Sequence, residues 1–291
     1  FHLKDMEGNK ITGKKALEIT IELSIEVGEI ASKFLKAPHY FEYEKTFDPF
    51  LLLSKKRYVG MLFEHDPNKG KRKEMGIVLK RRDNAPIVKD VYGGLIDILM
   101  NAHDIPAAIQ FVKSFLQDIV DEKFPLEKLI ITKKLNSFYK NPESIAHKVL
   151  AERMGKRDPG NKPSVGSRVP FVYIQTKGKV KLQGNKIENP EYIRANNLKP
   201  DYGFYITNQL MKPIQQVFAL ILEDIPSFKR KVPAFKRKCE YLKQTCKDDE
   251  KYNKKEEALR NKEVKKIIFD DALRQANNIK NGQKSIKKFF A

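Results

Sequence analysis

A short string of cations beside one aromatic residue is the interior feature best suited to chemistry on a polyanion. The string runs Ser54-Lys55-Lys56-Arg57-Tyr58-Val59-Gly60. Lys55, Lys56 and Arg57 can neutralise phosphates, and the flat polar ring of Tyr58 can lie against the edge of a base pair. On a strand, we expect these side chains to share one surface. A basic strand edge that discourages aggregation would have the same residues, so both interpretations stay open.

The C-terminus carries a second pattern, which suits a hydrophobic contact with another protein. Gln283 is followed by Ile286 three positions later and by the pair Phe289 and Phe290 three positions after that. One tight helical turn would place Ile286, Phe289 and Phe290 on one side as a hydrophobic plug, while Gln283 would cap the edge of the pocket. The alternative is a sticky basic tail with accidental phenylalanines.

Composition and charge narrow the class of protein. The chain has 291 residues with 41% apolar content, which can bury a sizeable core and excludes a disordered protein. The formal net charge of +20 implies a polyanionic partner, most economically nucleic acid. A basic ribosomal or membrane-surface protein would show the same number. Residues 229–291 alone hold 20 Lys and Arg against 9 Asp and Glu.

The cysteines and the hydropathy pattern bear on the compartment. Cys239 and Cys246 are the two cysteines of the sequence, too few for a disulfide framework or a four-thiolate metal site. No apolar run approaches the ~18 residues of a membrane span, and no signal peptide is visible. We therefore expect a reducing, intracellular location and no membrane partner. Because the first residue is Phe1 rather than methionine, we also expect the chain to be a fragment.

The first third of the chain has to position the Lys-Lys-Arg-Tyr string. Apolar residues at helical spacing predict a helix over 14–35, which Pro38 ends. Segments rich in aromatic, Leu and Val residues predict strands over 40–45 and 50–63, and a third strand over 75–80 follows the turn at 66–70. Residues 1–84 are thus predicted to form a helix packed on an antiparallel sheet.

The rest of the sequence has mainly helical periodicity. It predicts helices over 88–100, 106–120, 144–154 and 205–225, with one strand over 169–174. Beyond Pro233, alternating charges predict a long solvated helix. The predicted fold class is α+β: a helix on an antiparallel sheet over 1–84, a mostly helical region over 85–228, and a basic helical tail over 229–291.

In this context the chain resembles the family B DNA polymerases, particularly the delta-type enzymes of eukaryotes and large DNA viruses, from Phe1 to about Glu223. Five motifs carry the resemblance in order. They are Phe41 to Lys45 with the Lys-Lys-Arg-Tyr string, Lys80 to Asp83, Ile130 to Leu135, Ala146 to Met154, and Tyr205 to Leu210.

The resemblance implies positions and partners for these segments. Residues 1–84 would be the late palm, 85–228 the thumb, and 229–291 a basic tail. Lys55, Lys56 and Tyr58 would lie in the minor groove at the primer terminus, with Arg57 beside them. The hydrogen-bond acceptors in the minor groove barely distinguish one base sequence from another. The contact would therefore check the shape of the base pair rather than its sequence.

A second group of residues surrounds the loop 155–166, whose glycines and prolines keep it close to a partner's backbone. The resemblance implies contacts of this group with primer–template phosphates, and a charged surface loop is the alternative. The group consists of Arg153, Arg157, Asn161, Lys162, Arg168 and Tyr173.

The family's catalysis depends on two aspartates that hold two Mg²⁺ ions, which activate the primer 3′ oxygen and neutralise the departing pyrophosphate. The resemblance places both aspartates upstream of Phe1. We therefore expect the chain to be inactive alone, although the full enzyme would use Mg²⁺ and deoxynucleoside triphosphates. Of Glu42 and Glu44, the resemblance makes Glu44 the better candidate for an auxiliary metal ligand. Solvated or lysine-paired strand carboxylates are the alternative.

The segment 283–290 is similar to the peptide by which replication enzymes bind a PCNA-type sliding clamp. The delta-type enzymes of cells end in cysteine-rich metal modules, which this sequence lacks, so the comparison favours a viral enzyme in the nucleus or in a cytoplasmic replication factory. The predicted function is the C-terminal part of a replicative DNA polymerase. A non-catalytic, clamp-tethered DNA-binding factor and a basic RNA-binding structural protein are the competing hypotheses.

Overall fold

The computed structural model describes residues 3–102, 104–176, 178, 180–246 and 248–282. The described part of the chain is α+β, with many helices and two small antiparallel sheets. It divides into two compact units between Lys80 and Arg81. The predicted clamp peptide, Gln283 to Phe290, lies outside the described residues.

The first unit contains one long helix and a three-stranded sheet. Helix α1 spans Gly13–Ser32 and packs against β1 through the side that carries the buried Leu17 and Ile21. The strands β1 (Thr46–Ser54), β2 (Arg57–Phe63) and β3 (Lys71–Met75) pair antiparallel in the order β1-β2-β3. The predicted helix on an antiparallel sheet is therefore confirmed.

Three details of this sheet differ from the prediction. The predicted strand over 40–45 is absent, and β1 begins only at Thr46. The segment 50–63 is two strands rather than one, and Lys55 and Lys56 form the turn between them. The third strand ends at Met75, and Val78–Lys80 is a short 3₁₀ helix instead. The turn was missed because it has no glycine or proline, and the residue with positive φ is Lys56, at 61°.

The core of the second unit begins with two helices rich in aliphatic residues. Helix α2 spans Pro86–Asn101 and α3 spans Ile105–Val120. The two pack together through fully buried side chains such as Leu95 and Leu116. Asp104 caps α3 by accepting a hydrogen bond from the backbone N–H of Ala107 at 2.9 Å. Both helices confirm the predicted periodicity.

A second sheet follows these helices, built from β4 (Ile131–Lys134), β5 (Arg168–Tyr173) and β6 (Ile187–Glu188) in antiparallel order. Of these strands only β5 was predicted, since β4 and β6 are too short to show alternation. Helix α4 (Ala146–Arg157) lies beside β5 and β6, and the short α5 (Pro190–Ala195) follows.

The predicted helix over 205–225 is interrupted. A short turn α6 (Tyr202–Phe204) continues through a π-helical segment, Tyr205–Leu210, into α7 (Met211–Leu220). The fully buried Tyr205 hydroxyl donates to the carbonyl of Leu129 at 2.7 Å and accepts from the N–H of Tyr173 at 3.1 Å. Burial raises the pKa of Tyr205, so its hydroxyl stays protonated.

A long solvated helix was predicted after Pro233, and the described part of this segment contains a 20-residue helix with a shorter helix on either side. The segment forms α8 (Val232–Thr245), α9 (Asp249–Ile268) and α10 (Asp270–Lys280). Helix α9 packs against α7, and α10 packs against α3. The fully buried Val264 and Phe269 anchor this packing. The buried face was not predicted from the sequence, because its apolar residues are few and are widely spaced among charged residues. In the described part of the chain, no helix is both long and apolar enough to cross a membrane.

Candidate nucleic-acid interface

The tip of the β1–β2 hairpin presents the predicted cations to solvent. Lys55 and Lys56 are exposed, while Arg57 and Tyr58 are half-buried at the start of β2. Tyr58 packs on the rings of Phe47 and Phe50, with centroids 5.7 and 5.5 Å apart. The ring is thus held by the sheet, and the lysines are held by the turn.

The conformation of the turn is fixed from the end of β3. Gly76, at φ 61°, has no room for a side chain, because a Cβ there would lie 2.2 Å from the carbonyl oxygen of Lys56. Tyr58 also pairs with Met75 across the sheet. In the described part of the chain, Lys55, Lys56 and Arg57 make no ion pair. The hairpin tip therefore holds unneutralised cations in a defined place.

The predicted metal ligand lies elsewhere in the first unit. Glu44 is exposed and forms an ion pair with its neighbour Lys45. Mg²⁺ needs several oxygen ligands in octahedral geometry. Among the described residues no three His, Cys, Asp or Glu side chains come together in a way that could hold a metal. One paired carboxylate does not make a Mg²⁺ site, so the auxiliary role of Glu44 stays a prediction and no catalytic step is derived from it.

In the second unit, two of the predicted DNA contacts turn toward a buried carboxylate. Glu188 is only 4% exposed. It accepts hydrogen bonds from both terminal nitrogens of Arg157, at 3.2 and 2.7 Å, and pairs with Nε of Arg153 at 3.3 Å. Arg157 also stacks over the ring of Tyr192, 3.6 Å from its centroid. The two arginines lie one helical turn apart on α4, so both reach the same acid.

Arg153 also binds the backbone beside this carboxylate. Its terminal nitrogens donate to the carbonyls of Gly184, at 3.2 Å, and Ile187, at 2.5 Å. Gly184 lets α4 approach this segment, because a Cβ there would lie 2.6 Å from Cβ of Val149. These contacts hold α4 against the 3₁₀ turn Gln183–Lys186 and β6.

The remaining polar members of the group also have partners within the chain. The Asn161 amide donates to Asp158 at 2.6 Å. Lys162 and Lys148 donate to opposite oxygens of Glu152, at 2.9 and 2.6 Å, and together lower the pKa of that carboxyl to about 2. These contacts join Lys162 of the loop to Glu152 on α4 and hold Asn161 against Asp158 within the loop.

Arg168 and Tyr173 lie at the two ends of β5. Arg168 donates to the backbone carbonyls of Thr132, at 2.7 Å, and Arg82, at 3.3 Å. Tyr173 stacks on Phe204 with ring centroids 3.5 Å apart, and burial raises its pKa. It lines a cleft of about 860 Å³ whose opposite wall is formed by α10. The DNA-binding roles of Arg168 and Tyr173 stay predictions.

Sequence reasoning found the basic residues but missed the acid that organises them. Two arginines four positions apart on a helix indicate a shared anionic partner. Glu188, however, follows them by more than thirty positions in a two-residue strand, with no local pattern to mark it. Tyr205 belongs to one of the motifs that indicated the family. Its two hydrogen bonds could not be predicted, because they join segments that are far apart in the chain.

Comparison with known proteins gives the family. The family model described as DNA polymerase family B matches residues 10–221. The chain is similar to a protein named DNA polymerase from Pyramimonas orientalis virus, with 50% identity over the whole chain and 24% of that protein.

Two further relatives extend the comparison. A DNA polymerase of Acanthamoeba polyphaga mimivirus is 48% identical over 79% of the chain and 14% of that protein. A DNA polymerase delta catalytic subunit of Candida albicans is 36% identical over 72% of the chain and 20% of that protein. The chain thus spans no more than about a quarter of the length of these relatives. With a family match over most of its residues, this chain belongs to DNA polymerase family B.

Proposed function

We propose that this chain is the part of a replicative, DNA-directed DNA polymerase that holds primer–template duplex and docks on a PCNA-type sliding clamp. Support comes from its family and from relatives that are named DNA polymerase in viruses and delta catalytic subunit in yeast. The deoxynucleoside triphosphates and Mg²⁺ belong, in this proposal, to the activity of the whole enzyme.

The hairpin tip is the single observation that carries the DNA-holding role. Lys55 and Lys56 are exposed, lack an ion pair in the described residues, and are held by a turn that Gly76 makes possible. A fixed, unneutralised cation binds a phosphate without first breaking an internal pair. By contrast, Arg157 already donates its hydrogen bonds to Glu188, and Arg153 donates its own to the carbonyls of Gly184 and Ile187.

An exposed apolar side of α1 supports a role within a larger polymerase. Leu23, Val27 and Ile30 are each more than 40% exposed on this helix, and Phe34 just after it is 85% exposed. Clustered apolar side chains of this size mark surfaces that bury against other protein. We propose that they pack on further polymerase sequence.

The chemistry is proposed to need carboxylates from outside this chain. In two-metal catalysis, the protein holds both ions with several acidic ligands. Glu44 can contribute one carboxylate, and no acidic cluster adds to it among the described residues. We therefore expect no primer extension by the purified chain with Mg²⁺ and all four nucleotides. Extension above a protein-free control would contradict this part of the proposal.

The salt dependence of duplex binding tests the DNA-holding role. The logarithm of the binding constant should fall with the logarithm of salt concentration by about 0.9 per phosphate contact. Lys55→Gln combined with Lys56→Asn should make this slope shallower by about 1.8, because two contacts are lost. Asparagine is chosen at position 56 because it tolerates the positive φ of the turn.

Lys14→Gln combined with Lys69→Gln is the matched control in the same unit. Both lysines are exposed but already paired, with Glu18 at 3.7 Å and Asp66 at 3.2 Å. The control should leave the slope within experimental error of the wild-type value. Fluorescence anisotropy with a labelled primer–template, titrated from low to physiological salt, measures all three proteins. Equal slopes for the hairpin variant and the wild type would remove the hairpin from the DNA surface.

A further inference from the structure

Helix α8 and the turn before it carry an unusual concentration of positive charge. Seven cations occur within residues 229–243, and Glu240 is the one acidic residue among them. All seven are exposed. We call them the α8 basic surface, and they are Lys229, Arg230, Lys231, Lys236, Arg237, Lys238 and Lys243.

These cations differ from four cations of the next helix, Lys254, Arg260, Lys265 and Lys266, which form ion pairs with carboxylates. On α9, Lys254 pairs with Glu250 at 2.7 Å, and Lys266 pairs with Glu263 at 2.7 Å. Within the described ranges, no member of the α8 basic surface makes an ion pair or a side-chain hydrogen bond. The first turn of α8 also contains no acid. Among the described residues no ion pair neutralises these cations, and the nearest acids are Glu223, Glu240 and Glu256 in a cleft that Lys236 and Lys243 also line.

The α8 basic surface is held on an anchored helix. Phe235 is 6% exposed and packs edge-on against Phe228, with ring centroids 5.5 Å apart. The guanidinium of Arg260 on α9 lies over the same ring, 5.5 Å from its centroid. Lys236 and Lys243 lie in a cleft beside Phe235, whereas Arg237 and Lys238 lie near Leu259, so these cations are distributed around a helix whose backbone is held in place.

An aromatic side chain lies among the cations. Tyr241 is 66% exposed and follows Arg237 by four positions, so the two lie side by side on α8, next to Leu259 of α9. From Lys231 to Lys243 the helix rises about 18 Å, over which duplex DNA presents roughly ten phosphates. This length and charge fit the backbone of a duplex.

An anionic membrane is a poorer fit to the same surface. A helix that lies on a membrane inserts an apolar face between the lipids. The apolar face of α8 is already used, because Phe235 is buried against Phe228 and Arg260. The exposed side offers charge and one tyrosine, which suits phosphates in water rather than acyl chains.

We propose that the α8 basic surface is a second duplex-DNA contact, separate from the hairpin tip and beyond the family match that ends at residue 221. It binds phosphates without reading sequence, and Tyr241 packs against the sugar–phosphate backbone. The inference depends on the proposed function in one respect, namely that the chain binds duplex DNA at all.

The test compares two variants of equal charge in the complete chain. The α8 variant combines Lys236→Gln, Arg237→Gln, Lys238→Gln and Lys243→Gln. The matched control on α9 combines Lys251→Gln, Lys254→Gln, Lys262→Gln and Lys266→Gln, all at exposed positions. Both variants lower the net charge by the same amount, so a general effect of net charge should lower the DNA affinity of both variants equally.

Binding of a labelled 30-base-pair duplex is measured by anisotropy across a salt series. The α8 variant should lose more than tenfold in affinity at low salt and should have a slope shallower by about 3.6 if all four cations contact phosphates, since each lost contact removes about 0.9. The α9 control should differ from the wild type by less than threefold. Circular dichroism melting curves check that both variants fold as the wild type does.

Three results would overturn the inference. Equal losses by the α8 variant and the α9 control would reduce it to a net-charge effect. Unchanged duplex binding by the α8 variant, together with lost binding to phosphatidylserine vesicles, would assign the surface to membranes. Failure of the wild-type chain to bind duplex would overturn the inference together with the proposed function, whereas the first two results leave the hairpin contact intact.

Discussion

The carboxylate of Glu188, buried beside α4, accepts two hydrogen bonds from the guanidinium of Arg157, at 3.2 and 2.7 Å. This fork-to-fork geometry is the strong form of an ion pair. The acid is nearly inaccessible to water, and it also forms an ion pair with Arg153. The pair therefore connects the helix that carries the predicted DNA contacts to the second sheet.

The first prediction concerns the stability of this connection. Glu188→Ala should lower the free energy of unfolding by about 2 to 3 kcal/mol, because it removes two charge-assisted hydrogen bonds from Arg157 and the ion pair with Arg153. The matched control is Glu143→Ala, at an exposed carboxylate, which should change stability by less than about 0.5 kcal/mol. Urea unfolding at neutral pH, followed by circular dichroism, measures both. Equal effects would show that the pair contributes no more than a surface charge.

A second prediction concerns the packing of the basic segment. Phe269, at the junction of α9 and α10, is fully buried. Phe269→Ala should destabilise the second unit by about 3 to 5 kcal/mol, as expected for a large side chain lost from a core. Tyr241→Ala, which truncates an aromatic residue that is 66% exposed, is the control and should cost less than about 0.5 kcal/mol. The same urea experiment decides whether the segment is part of the fold or an appended tail.

The third prediction concerns pH. Burial, and then the nearby charge of Lys133, lower the pKa of His147 below its usual value near 6.5. The unfolded chain therefore takes up this proton more readily than the folded chain, so stability should decrease as the pH falls below about 6.5. His147→Gln should remove this part of the pH dependence.

Tyr139→Phe provides the control for the histidine, since it deletes the 3.0 Å hydrogen bond between the Tyr139 hydroxyl and Nε2 of His147. Burial and Lys133 remain in this variant, so its stability should still decrease toward low pH. The midpoints of urea unfolding, measured at pH 7.5 and pH 5.5, distinguish the Tyr139→Phe variant from the His147→Gln variant. An identical pH dependence in the wild type and His147→Gln would exclude this histidine as its source.

The fourth prediction concerns the segment beyond the described residues. Phe289 and Phe290 should each contribute about 1.5 to 3 kcal/mol if they are fully buried in a clamp pocket. Replacing both by alanine should weaken binding to the cognate clamp at least tenfold at any ionic strength. Replacing Lys284, Lys287 and Lys288 should matter chiefly at low salt, because exposed charges are screened.

A peptide of residues 275–291 is sufficient for this measurement, because a short hydrophobic plug needs no folded context. Isothermal calorimetry with the clamp compares the native peptide with its double-alanine and charge-neutral forms. If the native and double-alanine peptides bind equally well, Gln283 to Phe290 is not a clamp-docking segment.

The sequence by itself determined the features that depend on neighbours in the chain. Apolar spacing along α2 and α3 predicted both helices, because one buried face of a helix recurs every three to four residues. The order of the motifs likewise predicted the family that the comparison then confirmed. The net charge of +20 predicted a polyanionic partner, which is still to be tested.

Only the tertiary structure decided which cations are paired. The sequence shows Arg157 and Lys55 only as two basic residues. In the structure Arg157 is paired with Glu188, whereas Lys55 is exposed at the tip of a hairpin. Likewise, the few apolar residues of α9 and α10, such as Phe269, are buried where these helices pack against helices from much earlier in the chain. Ion pairs and core contacts form between segments far apart in the chain, and local periodicity carries no information about such distances.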